Sequence, residues 1–333
     1  MPSTPYWFDA HLDLACIALL GRDMHAPLAT CGGPWPPPAV TLPSLRDGNV
    51  RSVLATIFTE AGGTDTGISY ETGNAQQAHA AGVAQLGVYD AWIKQGAWSR
   101  ATSSTSESAS LRFRLLMECA DPIRDPSELA WWADQGVAAI GLAWARGSRY
   151  AGGNSTGGPL TPIGRELVRE MDRLRVIHDI SHLSDEALAN LLSTTDRTII
   201  ASHSNCRSLI DLPTDTPRQR HLTDDTIREI ARRNGVIGLN LFSLFLTPGA
   251  LDRRATIAET LAHIEHICML TGSTNHVGLG SDMDGGLRGD QLPQGINQPA
   301  DLTLLTEGLR ARGWNDTSIA AFMHTNWERI FGP

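Results

Sequence analysis

The sequence predicts a (β/α)8 barrel, and three observations carry that prediction. Eight short runs rich in Val, Ile and Leu alternate with helical patterns along the chain. The alternation continues to the end, which gives the strand and helix count of a TIM barrel. A doubly wound sheet, the rival, calls for a glycine-rich phosphate turn after its first strand. Here that place reads His11-Leu12-Asp13, and no GxGxxG occurs anywhere in the 333 residues.

Taken in order, the expected strands are Tyr6–Leu14, Val50–Phe58, Arg112–Glu118, Val137–Ala143, Val176–His182, Thr198–His203, Val236–Leu241 and His276–Asp282. Helices are expected over 72–96, 126–136, 161–175, 184–193, 223–234, 256–270, 300–312 and 316–330. In the third of these, Leu167, Val168, Met171 and Leu174 recur three and four apart, and Thr161-Pro162 supplies an N-cap and a first-turn proline. The length suits one barrel over 1–333, with irregular excursions at 21–48 and 99–110. No internal repeat interrupts it.

Composition excludes several function classes. A formal charge of −9 leaves no basic footprint for nucleic acid. The longest apolar run, Leu14 to Leu20, is too short to span a bilayer, and Met1-Pro-Ser-Thr-Pro-Tyr6 lacks the regions of a signal peptide. The expectation is a soluble, cytoplasmic protein with no membrane partner. Five scattered cysteines without a CxxC pair argue against a disulfide framework or zinc ribbon. Lys94 is the one lysine among 27 basic residues and is followed by Gln95, so a Walker loop is excluded. Its place in the 72–96 helical stretch, on a solvated face, also argues against Schiff-base and PLP chemistry.

In a (β/α)8 barrel the chemistry sits at the carboxyl ends of the strands. Those ends are polar here: His11 and Asp13 on the first, Glu118 on the third, His182 on the fifth, His203 on the sixth and Asp282 on the eighth. A spacing of two places His11 and Asp13 on one strand face. One such residue is most often an ordinary polar group; six at strand ends form a constellation. Three histidines and two or three carboxylates exceed the three protein ligands one catalytic zinc usually takes, so two ions are expected. Glu118 is the central candidate for a bridge: one ion takes His11, Asp13 and Glu118, the other Glu118, His182 and His203. Mixed nitrogen and oxygen donors favour zinc, with manganese, cobalt or iron as alternatives. A hydroxide held between two such ions is a nucleophile at neutral pH. Asp282 would take its proton and pass it to a leaving amine, so the reaction class is hydrolysis of an amide or related acyl bond.

Six motifs in order resemble the membrane (renal) dipeptidase family, peptidase family M19. They are His11-Leu-Asp13, Met117-Glu118-Cys-Ala-Asp121, Thr161-Pro-Ile-Gly164 running to Leu174, Asp179-Ile-Ser-His182, Ser202-His203-Ser204 and Gly278-Leu-Gly-Ser-Asp282-Met-Asp284-Gly285. The resemblance runs from about residue 8 to 331. It implies a binuclear zinc site on His11, Asp13, Glu118, His182 and His203, a catalytic Asp282 and dipeptides as substrates, in a family whose members are commonly dimers. It places the arginine that grips the substrate carboxylate on Arg220, within Arg220-His-Leu-Thr-Asp-Asp225, with Arg218 and Arg207 as alternatives. One departure stands out. Where mammalian members carry Leu-Thr-His after the fourth strand, this chain reads Leu142-Ala143-Trp144, whose indole N–H can donate to an oxyanion but accepts nothing. That departure keeps two alternatives open: another acyl substrate, such as an N-acyl amino acid or a lactone, and a non-peptidase barrel of secondary metabolism.

Four further signals are set aside. Glu259, His263 and His266 are expected on an outward helix face, and His178 in a polar layer inside the barrel. Asp284 is a second choice for the base. His221 is expected to be exposed beside Arg220.

Overall fold

The computed structural model describes residues 5–65, 67–100, 111–210, 218–248, 250 and 252–332. All eight expected strands form, the third shifted back by one residue at the same length and the others shorter than their apolar runs: β1 Trp7–Leu12, β2 Val50–Ile57, β3 Leu111–Met117, β4 Val137–Gly141, β5 Ile177–Asp179, β6 Ile199–Ile200, β7 Ile237–Leu239 and β8 Val277–Leu279. They pair in parallel in the order β6-β5-β4-β3-β2-β1-β8-β7. The last gap is closed by a parallel bridge between Ala201 and Ile237. There the Ala201 N–H donates to Val236 C=O at 3.1 Å and the Gly238 N–H to Ala201 C=O at 2.7 Å. The fold is therefore a nearly closed (β/α)8 barrel.

Inside it, Phe8, Ala10, Leu54, Leu116, Ala139, Ile200 and Val236 pack as one buried cluster with Trp327 of the last helix. A larger apolar layer lies between strands and helices. The helices start where hydroxyl residues can satisfy their first N–H groups: Thr161 caps Pro162–Leu174, Ser184 caps Asp185–Thr194, Thr223 caps Asp224–Arg232 and Thr256 caps Ile257–Thr271.

Several expectations are corrected. The first strand stops at Leu12, and Asp13 instead precedes a short helix, Leu14–Leu19. Segment 21–48 is not wholly irregular, since it contains the helix Leu42–Asp47. Of 99–110, Ser99 and Arg100 belong to a strand, Trp98–Arg100, paired in parallel with β3; residues 101–110 lie outside the described residues. The final helix is broken by a π segment, Ala321–Thr325. His178 does not line the barrel interior: its Nε2 lies 2.8 Å from Asp172 Oδ1 on the covering helix, because a strand turns alternate residues outward.

Glu259 pairs with Arg253. His263 accepts from the Cys206 N–H and faces Leu246 C=O, and His266 contacts Asp224. These three pin the helix to its neighbours and do not form a chelating group.

Candidate metal centre

The six strand-end residues converge although their strands are short. Each lies just past its strand, except His11, the penultimate residue of β1. Glu118 stands between two sets of partners. Its Oε1 lies 3.1 Å from His182 Nε2 and 3.7 Å from His203 Nε2, whereas its Oε2 lies 3.4 Å from His11 Nε2. Asp13 Oδ1 is 3.9 Å from His11 Nε2. Two groups have donor atoms within 4.8 Å of one another: His11, Glu118 and His203, and His11, Asp13 and Asp282. Among the described residues no other such group occurs.

The ring orientations follow from a buried polar network. Ser202 Oγ donates to Asp179 Oδ2 at 2.6 Å, so it faces His203 Nδ1 at 2.8 Å and His11 Nδ1 at 3.2 Å as an acceptor. His182 Nδ1 lies 3.0 Å from Asn154 Oδ1, which can only accept. All three rings thus carry hydrogen on Nδ1 and present an Nε2 lone pair to the centre. Two of these, His182 Nε2 and His203 Nε2, face each other at 2.9 Å. Two lone pairs at that distance repel unless a cation lies against them. His11 Nε2 and Glu118 Oε2 are buried with no hydrogen-bond partner, which again is what metal ligands require.

Charge points the same way. Burial raises Glu118 to about 8, with Asp179 adding repulsion. Burial also raises Asp13 to about 7, reinforced by Glu118. Asp282 reaches about 7, chiefly by burial; Asp13 and Glu118 push it further up while His11 and Arg220 oppose them. His182 and His203 are held well below their ordinary value by burial. Crowded acids beside neutral imidazoles are a donor set that divalent transition ions fit. Gly285 makes room for it: a Cβ there would fall 1.9 Å from Asp282 Oδ1 and 2.8 Å from Asp13 Oδ2.

Around this centre lies a cavity of about 430 Å³. Arg220 lines it and is buried; its Nη1 donates to Ser181 C=O and Ser204 Oγ, its Nη2 to His203 C=O. Arg207 turns away to Asp185, and the side chain of Arg218 lies outside the described residues. Trp144 forms another wall, its ring 5.2 Å from Phe58 and 6.2 Å from His182. Asp284 is not at the cavity; it is buried against Arg22 and the N–H groups of Ala39 and Val40. Cys119, next to Glu118, is buried with its thiol 3.9 Å from the Tyr70 hydroxyl. His221 is buried, not exposed.

Sequence reasoning gave no role to Asp179, Ser202, Asn154 or Asn240, whose Nδ2 donates to Asp282 Oδ2 at 2.8 Å. A charged residue inside an apolar strand was a usable signal for Asp179. Asn154 sits in the turn of a hairpin, Ala151–Gly153 with Gly157–Leu160, 28 positions before the ring it holds. No spacing pattern marks it.

A (β/α)8 barrel with imidazoles and carboxylates gathered at the carboxyl ends of its strands is the architecture of a metal-dependent hydrolase. The family model for membrane dipeptidases, peptidase family M19, matches residues 6–333, and the chain belongs to that family. It is by that membership a metallo-dipeptidase. An uncharacterized dipeptidase of Schizosaccharomyces pombe is 28% identical over 305 residues, covering 86% of this chain and 71% of the relative. The crystal structure of dipeptidase AC, a metallo peptidase of family M19, superposes with a TM-score of 0.82 at 25% identity, covering 99% of this chain and 100% of that one. A metallo peptidase of Rhodobacter sphaeroides, liganded with a phosphinate mimic of L-Ala-D-Ala, shares the fold with a TM-score of 0.83 at 23% identity, covering 98% and 99% of the two chains.

Proposed function

We propose that the protein hydrolyses dipeptides with two zinc ions shared through Glu118. The single observation behind this reading is the division of Glu118: one carboxylate oxygen faces His182 and His203, the other faces His11. Accordingly one ion would be held by His11, Asp13 and Glu118 and the other by Glu118, His182 and His203. When bound, the ions supply Lewis acidity that polarises the scissile carbonyl and makes water acidic enough to attack near neutral pH.

The chain's own residues supply the rest. Asp282 accepts the proton of the attacking water and returns it to the leaving amine; a carboxyl raised to about 7 is matched to both tasks. Asn240 holds Asp282 in place through its amide. Arg220 spends three of the five N–H donors of a guanidinium on Ser181, Ser204 and His203, and the remaining two suit the terminal carboxylate of the substrate. Trp144, which also lines the cavity, offers an indole N–H to the carbonyl oxygen as it gains charge.

The test is turnover of L,L and L,D dipeptides, L-Ala-D-Ala among them, by zinc-loaded protein, against N-acetyl amino acids as controls. Hydrolysis of the dipeptides and not of the N-acetyl amino acids, lost on chelation, is expected. Preference for N-acyl amino acids or lactones would replace the reading.

A further inference from the structure

Beyond Asp13, Glu118 and Asp282, one further carboxylate lines the cavity among the described residues, that of Glu60. Glu60 follows β2, and Arg220 stands in the connection after β6. In the closed order β6-β5-β4-β3-β2-β1-β8-β7 those two strands are four places apart in either direction, so their loops rise from opposite sides of the barrel mouth. The metal centre lies between them.

The backbone carrying Glu60 is fixed. Gln85 accepts from the Phe58 N–H at 2.9 Å through its side-chain oxygen and donates to the Phe58 C=O through its amide. Two residues on, the Glu60 N–H donates to Ile68 C=O at 2.9 Å, and Glu60–Ala61 pairs in parallel with Ser69–Tyr70. The Glu60 side chain is 21% exposed, and its Oε1 lies 3.2 Å from Nη1 of Arg146, whose side chain is 59% exposed. The pair therefore sits at the rim. An ion pair this exposed contributes little to stability, and one guanidinium nitrogen does not fill the roughly four acceptor positions of a carboxylate. Phe58 and Trp144, with ring centroids 5.2 Å apart, add aromatic surface to the same cavity.

We propose that Glu60 defines the subsite for the amino-terminal residue of the dipeptide, and that this subsite selects a cationic side chain, that of arginine or lysine. The inference rests on the reading of Arg220 as the carboxylate anchor. With the carboxylate on Arg220 and the scissile carbonyl at the metal centre, the amino-terminal residue is directed away from Arg220, towards the Glu60 side. Its α-amino group is separated from the reacting carbon by Cα alone and stays beside the metal centre; a long side chain reaches the rim. The apolar stem of arginine or lysine packs on aromatic surface while its charged head meets the carboxylate in place of Arg146. An uncharged head of the same shape makes only the weaker, neutral hydrogen bond.

The experiment measures kcat/KM of the zinc-loaded full chain for L-Arg-Ala against L-citrullinyl-Ala, which differ in the charge of the head group, with both L-Ala and D-Ala at the carboxyl terminus. A preference of about tenfold or more for arginine is expected, the value of one hydrogen bond between charged groups. It should fall towards one in Glu60→Gln and rise severalfold in Arg146→Gln, which removes the competing cation. A ratio near one in the unaltered protein overturns the subsite and leaves dipeptide hydrolysis standing. So does a ratio that survives in Glu60→Gln, or one that fails to rise in Arg146→Gln. A preference for L-Glu-Ala over L-Gln-Ala would give the rim to Arg146 and overturn it too. If no dipeptide is cleaved, the reading as a dipeptidase falls and the subsite falls with it. Should Glu60→Gln not fold, the ratios of the unaltered protein and of Arg146→Gln decide the matter.

Discussion

Asn154 and His182 are joined twice: the Asn154 N–H donates to His182 C=O at 2.9 Å, and the Asn154 side-chain oxygen lies 3.0 Å from His182 Nδ1. A hairpin from the loop after β4 thereby sets the tautomer and the plane of a ring on the loop after β5. The lone pair on Nε2 is left to face Glu118 and His203.

Replacing Asn154 with Ala should therefore weaken zinc binding by about 10–100-fold, the usual cost of losing a partner that orients a metal-binding histidine. Asn154→Asp, which keeps the acceptor, should recover most of it. Competition with a chromophoric chelator reads this directly, and an unchanged affinity in Asn154→Ala would reject the orienting role.

Asp282→Asn should lower kcat by roughly 10²–10⁴, the contribution of one positioned acid–base group, while the metal content stays at that of the unaltered protein. Loss of metal instead would make Asp282 a ligand, a position its closeness to His11 and Asp13 makes worth checking.

The Arg22–Asp284 pair is buried on both sides and anchors segment 21–48 to the loop after β8. Arg22→Met leaves a buried carboxylate without its cation, which costs about 3–5 kcal/mol. Urea unfolding should show that loss; a change below about 1 kcal/mol would mean the loop is held by its backbone bonds alone.

Burial lowers His263 from 6.5 to about 4, and its Nδ1 must stay bare to accept from the Cys206 N–H. Between those values the unfolded chain takes up a proton that the folded chain refuses, so this residue's contribution to stability falls as pH drops from 6.5 towards 4. His263→Gln should thus melt below the unaltered protein at pH 7.5 and approach it by pH 4.5. A gap that stays constant over the range would refute the linkage.

The sequence was informative wherever one physical signal was strong. The strand Val50–Ile57 announces itself because both its faces are buried beyond Arg51. The residues that gather at the barrel mouth were legible because charged groups beside apolar runs have little structural reason to be there. Asp13 joins the cluster by a geometry other than the expected one: it enters from the start of a helix, not from the strand face shared with His11. What stayed hidden depends on contacts between distant loops. Nothing near Asn154 signals His182, and nothing around Ser202 says that one hydroxyl serves both His11 and His203. His178 was misplaced because strand phase is set by register against neighbours, which local spacing cannot supply.

Anomalous diffraction at the zinc edge from crystals of the zinc-loaded protein is the most direct test of the metal centre. Two peaks are expected, one within bonding distance of each Glu118 carboxylate oxygen. A single peak, or none touching Glu118, would contradict it.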